Sequence, residues 1–162
     1  MSRAPETRIV VEKSARRLRL YSGAALLLES RIAIGRNADA DKTVEGDEAT
    51  PLGEFFICAR NPRSRFFLSL CISYPNAVHA DRGLRSGLID ATEHAQIIEA
   101  LAQQRTPPQH TRLGGEIYIH GEASAGDARG DDATRGCIAL DNPTMRQLFD
   151  LVPLGARISI EA

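Results

Sequence analysis

The segment Glu116-Ile117-Tyr118-Ile119-His120-Gly121, followed by a polar, glycine-dotted loop and then by Thr134-Arg135-Gly136-Cys137-Ile138-Ala139-Leu140-Asp141-Asn142, decides how the chain is read. The first part is an apolar, strand-like run that ends on a histidine. The last part opens a second apolar run with a cysteine behind a glycine. A loop that folds back between them sets an imidazole beside a thiol, the arrangement in which the imidazole takes the thiol proton and leaves a reactive thiolate. Gly136 permits a tight turn before Cys137, and amide N–H groups around such a turn converge on one spot, where a developing oxyanion would sit. Tyr118 lies two residues before His120, so it shares that strand face and is expected to line the cleft. Thr134 is a candidate hydrogen-bonding partner near the thiolate, and Arg135 a candidate positive charge beside it.

C-terminal to this segment, Asn142-Pro143 reads as the start of a helix, with Asn at the N-cap and Pro at the first helical position. Met145, Leu148, Phe149 and Val152 follow at i, i+3, i+4 and i+7, a core-facing stripe rather than a cofactor box. Gly155 ends it, and Arg157 to Ile160 returns as a final strand. N-terminal to the segment, Asp90-Ala91-Thr92-Glu93 is a capping box that opens a helix running to about Gln104, stopped by Pro107-Pro108. Arg8 to Glu12, Arg17 to Tyr21 and Leu26 to Ile34 read as strands, the second alternating at period two, with Ser22-Gly23 as a hairpin turn. Arg36 to Ala49 is polar and aperiodic, a surface loop or mobile flap. Thr50-Pro51-Leu52-Gly53 is a tight turn into a strand at Glu54 to Cys58, and Phe66 to Tyr74 is an apolar strand stopped by Pro75-Asn76. His79 and Arg82 follow in what reads as a polar loop. Together these elements predict one mostly β domain with two helices (α+β), a sandwich or barrel-like sheet over residues 1–162.

The composition fits such a domain. A chain of 162 residues, 43% apolar and 25% charged, can bury its own core. A net charge of -1 supplies no electrostatic drive toward nucleic acid. The Arg16-Arg17-Leu18-Arg19 cluster reads as a solvated strand face. No window approaches the ~20 apolar residues of a membrane span, and neither the N-terminus nor the short run Ala24 to Leu28 reads as a signal peptide. Three cysteines leave at least one unpaired, with Cys137 the candidate. Cys58 and Cys71 are expected on neighbouring strands, either as two buried thiols or as a disulfide that stability does not require. A metal site from His79, His110, His120 and cysteines lacks any Cys-x-x-Cys or His-x-x-x-His pair, so neither metal nor cofactor is expected. Oligomeric state is left open.

His120-Gly121 with Thr134-Arg135-Gly136-Cys137-Ile138 resembles the YkuD-type L,D-transpeptidase catalytic domain, whose motif is His-Gly followed at a set distance by Ser/Thr-x-Gly-Cys and a hydrophobic residue. Many members carry an arginine two residues after the cysteine. This chain has Ala139, which resembles the Gly-Cys-Ile-Ala-Leu branch of murein L,D-transpeptidase-like proteins, a branch that includes hydrolases. Thr50-Pro51-Leu52-Gly53 and Tyr74-Pro75-Asn76 also resemble the family, and in that branch the latter loop lies near the cleft. That makes Tyr74 and Asn76 expected cleft residues and His79 and Arg82 candidate contacts.

The resemblance implies a cysteine acyltransferase acting on peptidoglycan stem peptides in cell-wall biogenesis and cell shape. Cys137 would be the nucleophile and His120 the base, with Gly136, Gly121, Thr134 and Arg135 shaping the site. The alternatives are a hydrolase on the same site (an L,D-carboxypeptidase or murein-protein amidase) and a non-catalytic wall-binding module. The family works in the periplasm or cell envelope. With no signal peptide read here, the expectation is either that an export signal has been trimmed or that the protein is cytoplasmic.

Overall fold

The computed structural model describes residues 4–122 and 134–162. The N-terminal residues 1–3 and most of the glycine-dotted loop expected to fold back, at 123–133, lie outside the described residues. Among the described residues, eight strands, numbered in chain order, form one curled sheet in the order β3-β2-β1-β8-β4-β5-β6-β7. β1 (Thr7–Glu12) and β2 (Arg17–Ser22) pair antiparallel, and their alternation buries Ile9, Val11, Leu18 and Leu20 completely. The opposite face carries Arg17 and Arg19, ion-paired to Glu12 and Glu29, which keep the arginine cluster on the solvent side. β3 (Ala25–Arg31) stops short of the expected Ile34. Residues Ile32 to Ile34 are fully buried, and Ala33 leaves the β2 edge to bridge Ala139 near the other end of the sheet. Gly35 likewise bridges Thr134, so the two sheet edges approach and the layer becomes barrel-like.

β4 (Gly53–Ser64) makes the curl. Its first residues pair with β8 (Arg157–Glu161) and its later ones with β5 (Phe67–Ile72), with register shifts at Ile57/Ala59 and Asn61/Ser64 that bend the strand. The second irregularity accommodates Pro62, which lacks a ladder N–H. The expected turn at Asn61 to Arg65 therefore moves outward, and Arg65-Phe66 form the hairpin tip between paired Ser64 and Phe67. Cys58 and Cys71 lie on these neighbouring strands as free thiols, with Cys58 Sγ donating to the Cys71 carbonyl at 3.5 Å. β6 (Tyr118–His120) and β7 (Ile138–Ala139) complete the sheet as a parallel pair.

Among the described residues there are three helices rather than two. α1 (Ala77–Ser86) occupies what reads as a loop in the sequence. Its buried face is His79, Ala80 and Gly83, small or polar residues that give no apolar periodicity. Asn76 caps it by accepting from the His79 N–H, and Gly87 in the left-handed region closes it. α2 (Ala91–Ala102) has the expected capping box and packs with α1 over Ile97 and Leu113. α3 (Asn142–Leu151) is capped by Asp141, one residue earlier than expected. The Asp141 carboxylate reaches Thr144 N–H, whereas Asn142 Oδ1 turns away to accept from Glu122 N–H at 2.7 Å. Met145, Leu148, Phe149 and Val152 are buried in the main core, as their spacing predicts. Among the described residues, no helix is long and apolar enough to cross a membrane.

The loop from Arg36 to Ala49 is pinned rather than free. Asp41 receives His79 Nε2 at 3.0 Å, Arg82 at 2.6 Å and the Leu52 N–H at 2.8 Å. Lys42 and Asp47 form a buried pair, and Asp47 also accepts the N–H groups of Thr43, Val44 and Ala49. Burial pushes the Asp41 carboxyl up, but its three donors outweigh it and hold the carboxyl well below the usual range. A carboxyl depressed in the folded state stabilises above its unfolded pKa of about 3.9, and that stabilisation is lost as pH falls through the folded value. Asp41→Asn should therefore lower the urea midpoint at pH 7, and the gap to wild type should narrow as pH drops below about 4.

Candidate active site

The parallel register sets His120 opposite Ala139 and Ile119 opposite Ile138, so Cys137 falls beside Tyr118 on the face that His120 occupies. The Tyr118 N–H donates to Cys137 Sγ at 3.5 Å, which fixes this approach. Cys137, His120 and Tyr118 open on one cavity of about 640 Å³, whose floor includes Ser69 and Cys71 of β5 and whose rim includes Arg65, Phe66 and Glu116. The structure thus brings together the two residues that the sequence pairs.

His120 is 8% exposed and tightly held. Its Nδ1 lies 2.7 Å from the Gly121 carbonyl oxygen, which only accepts, so Nδ1 carries the proton and Nε2 keeps the lone pair. The ring stacks on Phe66, centroids 4.6 Å apart. Burial lowers the imidazole's pKa from its ordinary value, against the opposing bond to Gly121. The Cys137 thiol donates to the Glu116 carbonyl at 3.4 Å rather than to the imidazole. Burial pushes this thiol up, only partly countered by the Tyr118 N–H. The resting pair is therefore a neutral thiol and a neutral imidazole.

Two glycines are required by space. Gly136 has φ +131, and a Cβ there would meet the Ala49 carbonyl oxygen at 2.8 Å. At Gly121 a Cβ would meet Asn142 Oδ1 at 2.5 Å, and the Gly121 N–H bonds Phe66 and Leu68 carbonyls, tying the hairpin tip to the histidine. Thr134 Oγ1 accepts the Gly136 N–H at 3.1 Å and donates to the Cys137 carbonyl at 2.6 Å. That N–H is consequently occupied by the Thr134 hydroxyl.

Other expected site residues fall elsewhere. Arg135 is exposed and lines a separate hollow of about 330 Å³ with Glu45 and Glu48, since it projects away from its neighbour Cys137. Tyr74 is fully buried, its hydroxyl donating to the Leu113 carbonyl at 2.7 Å and its ring edge-on to His79, so it is a core residue and not a cleft residue. Asn76 is spent on capping α1 and on the Glu54 carbonyl, outside the cavity. His79 and Arg82 are engaged by Asp41. Ala139 is 3% exposed between β6 and Ala33, so its position delivers no charge to the cavity. Among the described residues, no group of three or more His, Cys, Asp or Glu is placed to hold a metal.

Sequence reasoning missed four contributors. The Gly121 carbonyl, the Phe66 ring and the Glu116 carbonyl act on the histidine and the thiol through contacts that leave no pattern in sequence. Thr50 was read only as part of a turn. Its hydroxyl is fully buried, accepting the Gly35 N–H at 2.9 Å and donating to the Gly136 carbonyl at 2.9 Å. Lys13, also buried, holds the Thr50 carbonyl at 2.6 Å. The Thr-Pro-x-Gly signature was the available signal.

A curled, mostly β sheet thus carries a cysteine and a histidine that open on one cleft. The chain belongs to the YkuD family: the family's L,D-transpeptidase catalytic domain matches residues 6–160. Solved structures with the same fold include the helical cell shape determining protein Pgp2 from Campylobacter jejuni, as a K307A mutant, at 23% identity and TM-score 0.68, covering 99% of this chain and 48% of that one. Bd1075 of Bdellovibrio bacteriovorus is similar at 22% identity and TM-score 0.61, covering 97% and 48%. An L,D-transpeptidase from Mycobacterium smegmatis is similar at 14% identity and TM-score 0.59, covering 98% and 59%. The chain thus spans about half the length of the structures it resembles. No protein of curated function matches it.

Thr50→Val removes the hydroxyl and leaves the Gly35 N–H and Gly136 carbonyl buried without partners. Urea unfolding should show a loss of about 2–6 kcal/mol, since each of the two unsatisfied buried groups costs about 1–3 kcal/mol. Thr50→Ser, which keeps the hydroxyl, should recover most of that loss.

Proposed function

We propose that the protein is an L,D-transpeptidase acting on peptidoglycan stem peptides in the cell envelope, with Cys137 as nucleophile and His120 as general base. The observation that carries this reading is the opening of both side chains on one cavity, with His120 Nδ1 committed to the Gly121 carbonyl and Nε2 left as the basic nitrogen. The substrate class follows from the family, whose enzymes act on the cell wall.

The amide after the third residue of a stem tetrapeptide enters the cavity and displaces water. Nε2 removes the Cys137 proton as sulfur attacks the carbonyl carbon, because a thiol raised by burial is not a nucleophile until it is deprotonated. The tetrahedral intermediate collapses with loss of the terminal D-residue, whose nitrogen takes the proton back from His120. The thioester that remains is attacked by an amine of a neighbouring stem, His120 again accepting the proton, and thiol and cross-link are formed. The lowered pKa of His120 keeps it in the basic form to more acidic pH than an ordinary histidine would be.

The test is incubation of the protein with muropeptides and mass analysis of the products. Cross-linked dimers with loss of D-alanine support transpeptidation, and loss of D-alanine without dimers identifies water as the acceptor. Cys137→Ala should abolish both products and also the adduct formed with a carbapenem. His120→Ala should slow acylation at neutral pH by about a hundredfold or more, the usual worth of general-base catalysis. Because burial raises the Cys137 thiol, that variant should regain rate only at alkaline pH, as hydroxide supplies the deprotonation. An unchanged rate and pH profile in His120→Ala would remove the histidine from the mechanism.

A further inference from the structure

The walls of the Cys137 cavity carry one cation and one carboxylate among the described residues, Arg65 and Glu116. Arg65 differs from most of the chain's other arginines in what holds it. Arg17, Arg19, Arg36, Arg82, Arg146 and Arg157 pair with carboxylates, and Arg60 bonds the Phe149 and Val152 carbonyls. For Arg65 the contact present is with a ring: its guanidinium carbon lies 5.1 Å from the centroid of Phe66. Phe66 in turn stacks on His120 at 4.6 Å. The hairpin tip that carries both residues is fastened to the site by the Gly121 N–H, which bonds the Phe66 carbonyl at 3.0 Å. A planar cation whose N–H donors meet no acceptor among the described residues therefore stands on the histidine side of the cavity, separated from the imidazole by one ring.

A guanidinium with free donors matches a carboxylate, in two parallel hydrogen bonds where geometry allows. On the acyl-transfer reading of Cys137, upon which this inference rests, the histidine side is where the leaving nitrogen receives its proton. When the leaving group is a C-terminal amino acid, its α-carboxylate is one carbon from that nitrogen. We infer that Arg65 is a specificity-determining residue that binds the free α-carboxylate of the departing residue, so the enzyme selects peptides whose scissile amide is followed by a single terminal residue. A peptide that continues beyond this residue, or ends in an amide, offers no carboxylate there and leaves the guanidinium unmatched. Phe66 positions the guanidinium by stacking and at the same time holds the imidazole.

The experiment compares wild type, Arg65→Ala and Arg65→Lys on a stem tetrapeptide with a free C-terminus and on the same peptide with its C-terminus amidated. Wild type should favour the free acid in kcat/KM by about tenfold or more, the worth of a hydrogen bond between charged groups. Arg65→Ala should bring the ratio near one by losing rate on the acid alone, and Arg65→Lys should restore part of it. A second readout is independent of turnover: alkylation of Cys137 by anionic iodoacetate against neutral iodoacetamide, scored on the Cys137 peptide by mass. Arg65→Ala should slow iodoacetate several-fold while iodoacetamide stays within about twofold, and the difference should shrink at high salt. Turnover with an acid-to-amide ratio that is the same in wild type and Arg65→Ala overturns the inference and leaves the acyl-transfer reading standing. Absence of turnover on either peptide counts against that reading. In that case, an alkylation ratio unmoved by Arg65→Ala overturns the inference as well, and a moved ratio supports anion binding by Arg65 at Cys137.

Discussion

The buried hydroxyl of Thr50 is the interaction on which the site depends. It joins the Gly35 amide to the Gly136 carbonyl, and so binds the chain leaving β3 to the turn that presents Cys137. Around it the approach is so close that a Cβ on Gly35 would lie 2.2 Å from the Glu48 carbonyl oxygen. Backbones packed this tightly need their polar groups satisfied in place, because no water enters to do it. One hydroxyl, acting as acceptor and donor, meets that need for both segments. The same closure brings Ala33 against Ala139 and draws the edges of the sheet together. The cysteine turn therefore inherits its position from the sheet as a whole.

The histidine is held by a different set of contacts, which converge at the hairpin tip. The Gly121 carbonyl sets the tautomer, Phe66 covers the ring, and the Gly121 N–H returns to the Phe66 carbonyl. Asn142, released from capping α3 by Asp141, completes the support from below through Glu122. Burial then acts on both reactive groups in the same sense, raising the thiol and lowering the imidazole, so that neither is charged at rest.

Cys71 shares the cavity with Cys137. It is 5% exposed, and the hydrogen bond from Cys58 together with burial pushes its thiol up, while the same partnership lowers Cys58. The two adjacent thiols differ through the hydrogen bond between them, since burial by itself raises both.

Much of the fold was legible in sequence because it rests on local periodicity. The alternation of β2, the stripe of α3 and the Asp90/Glu93 box are physical statements about single segments, and each formed as read. The Cys137 and His120 pairing was legible because glycines flank both residues and the apolar runs around them form strands. Helix α1 was not, since its buried face is His79, Ala80 and Gly83 and its cap is a side chain three residues away. Tyr74 and Asn76 were displaced from the cleft because their partners, Leu113 and Glu54, are distant in the chain. Arg65 entered the cavity only when Pro62 forced the β4 irregularity and moved the turn. The sequence by itself determined those strands and helices whose residues alternate or repeat locally, and marked Cys137 and His120 as the candidate pair. The tertiary structure alone decided what surrounds those two residues, because hydrogen bonds and ring contacts between segments far apart in the chain depend on how the sheet curls, and no local pattern encodes that.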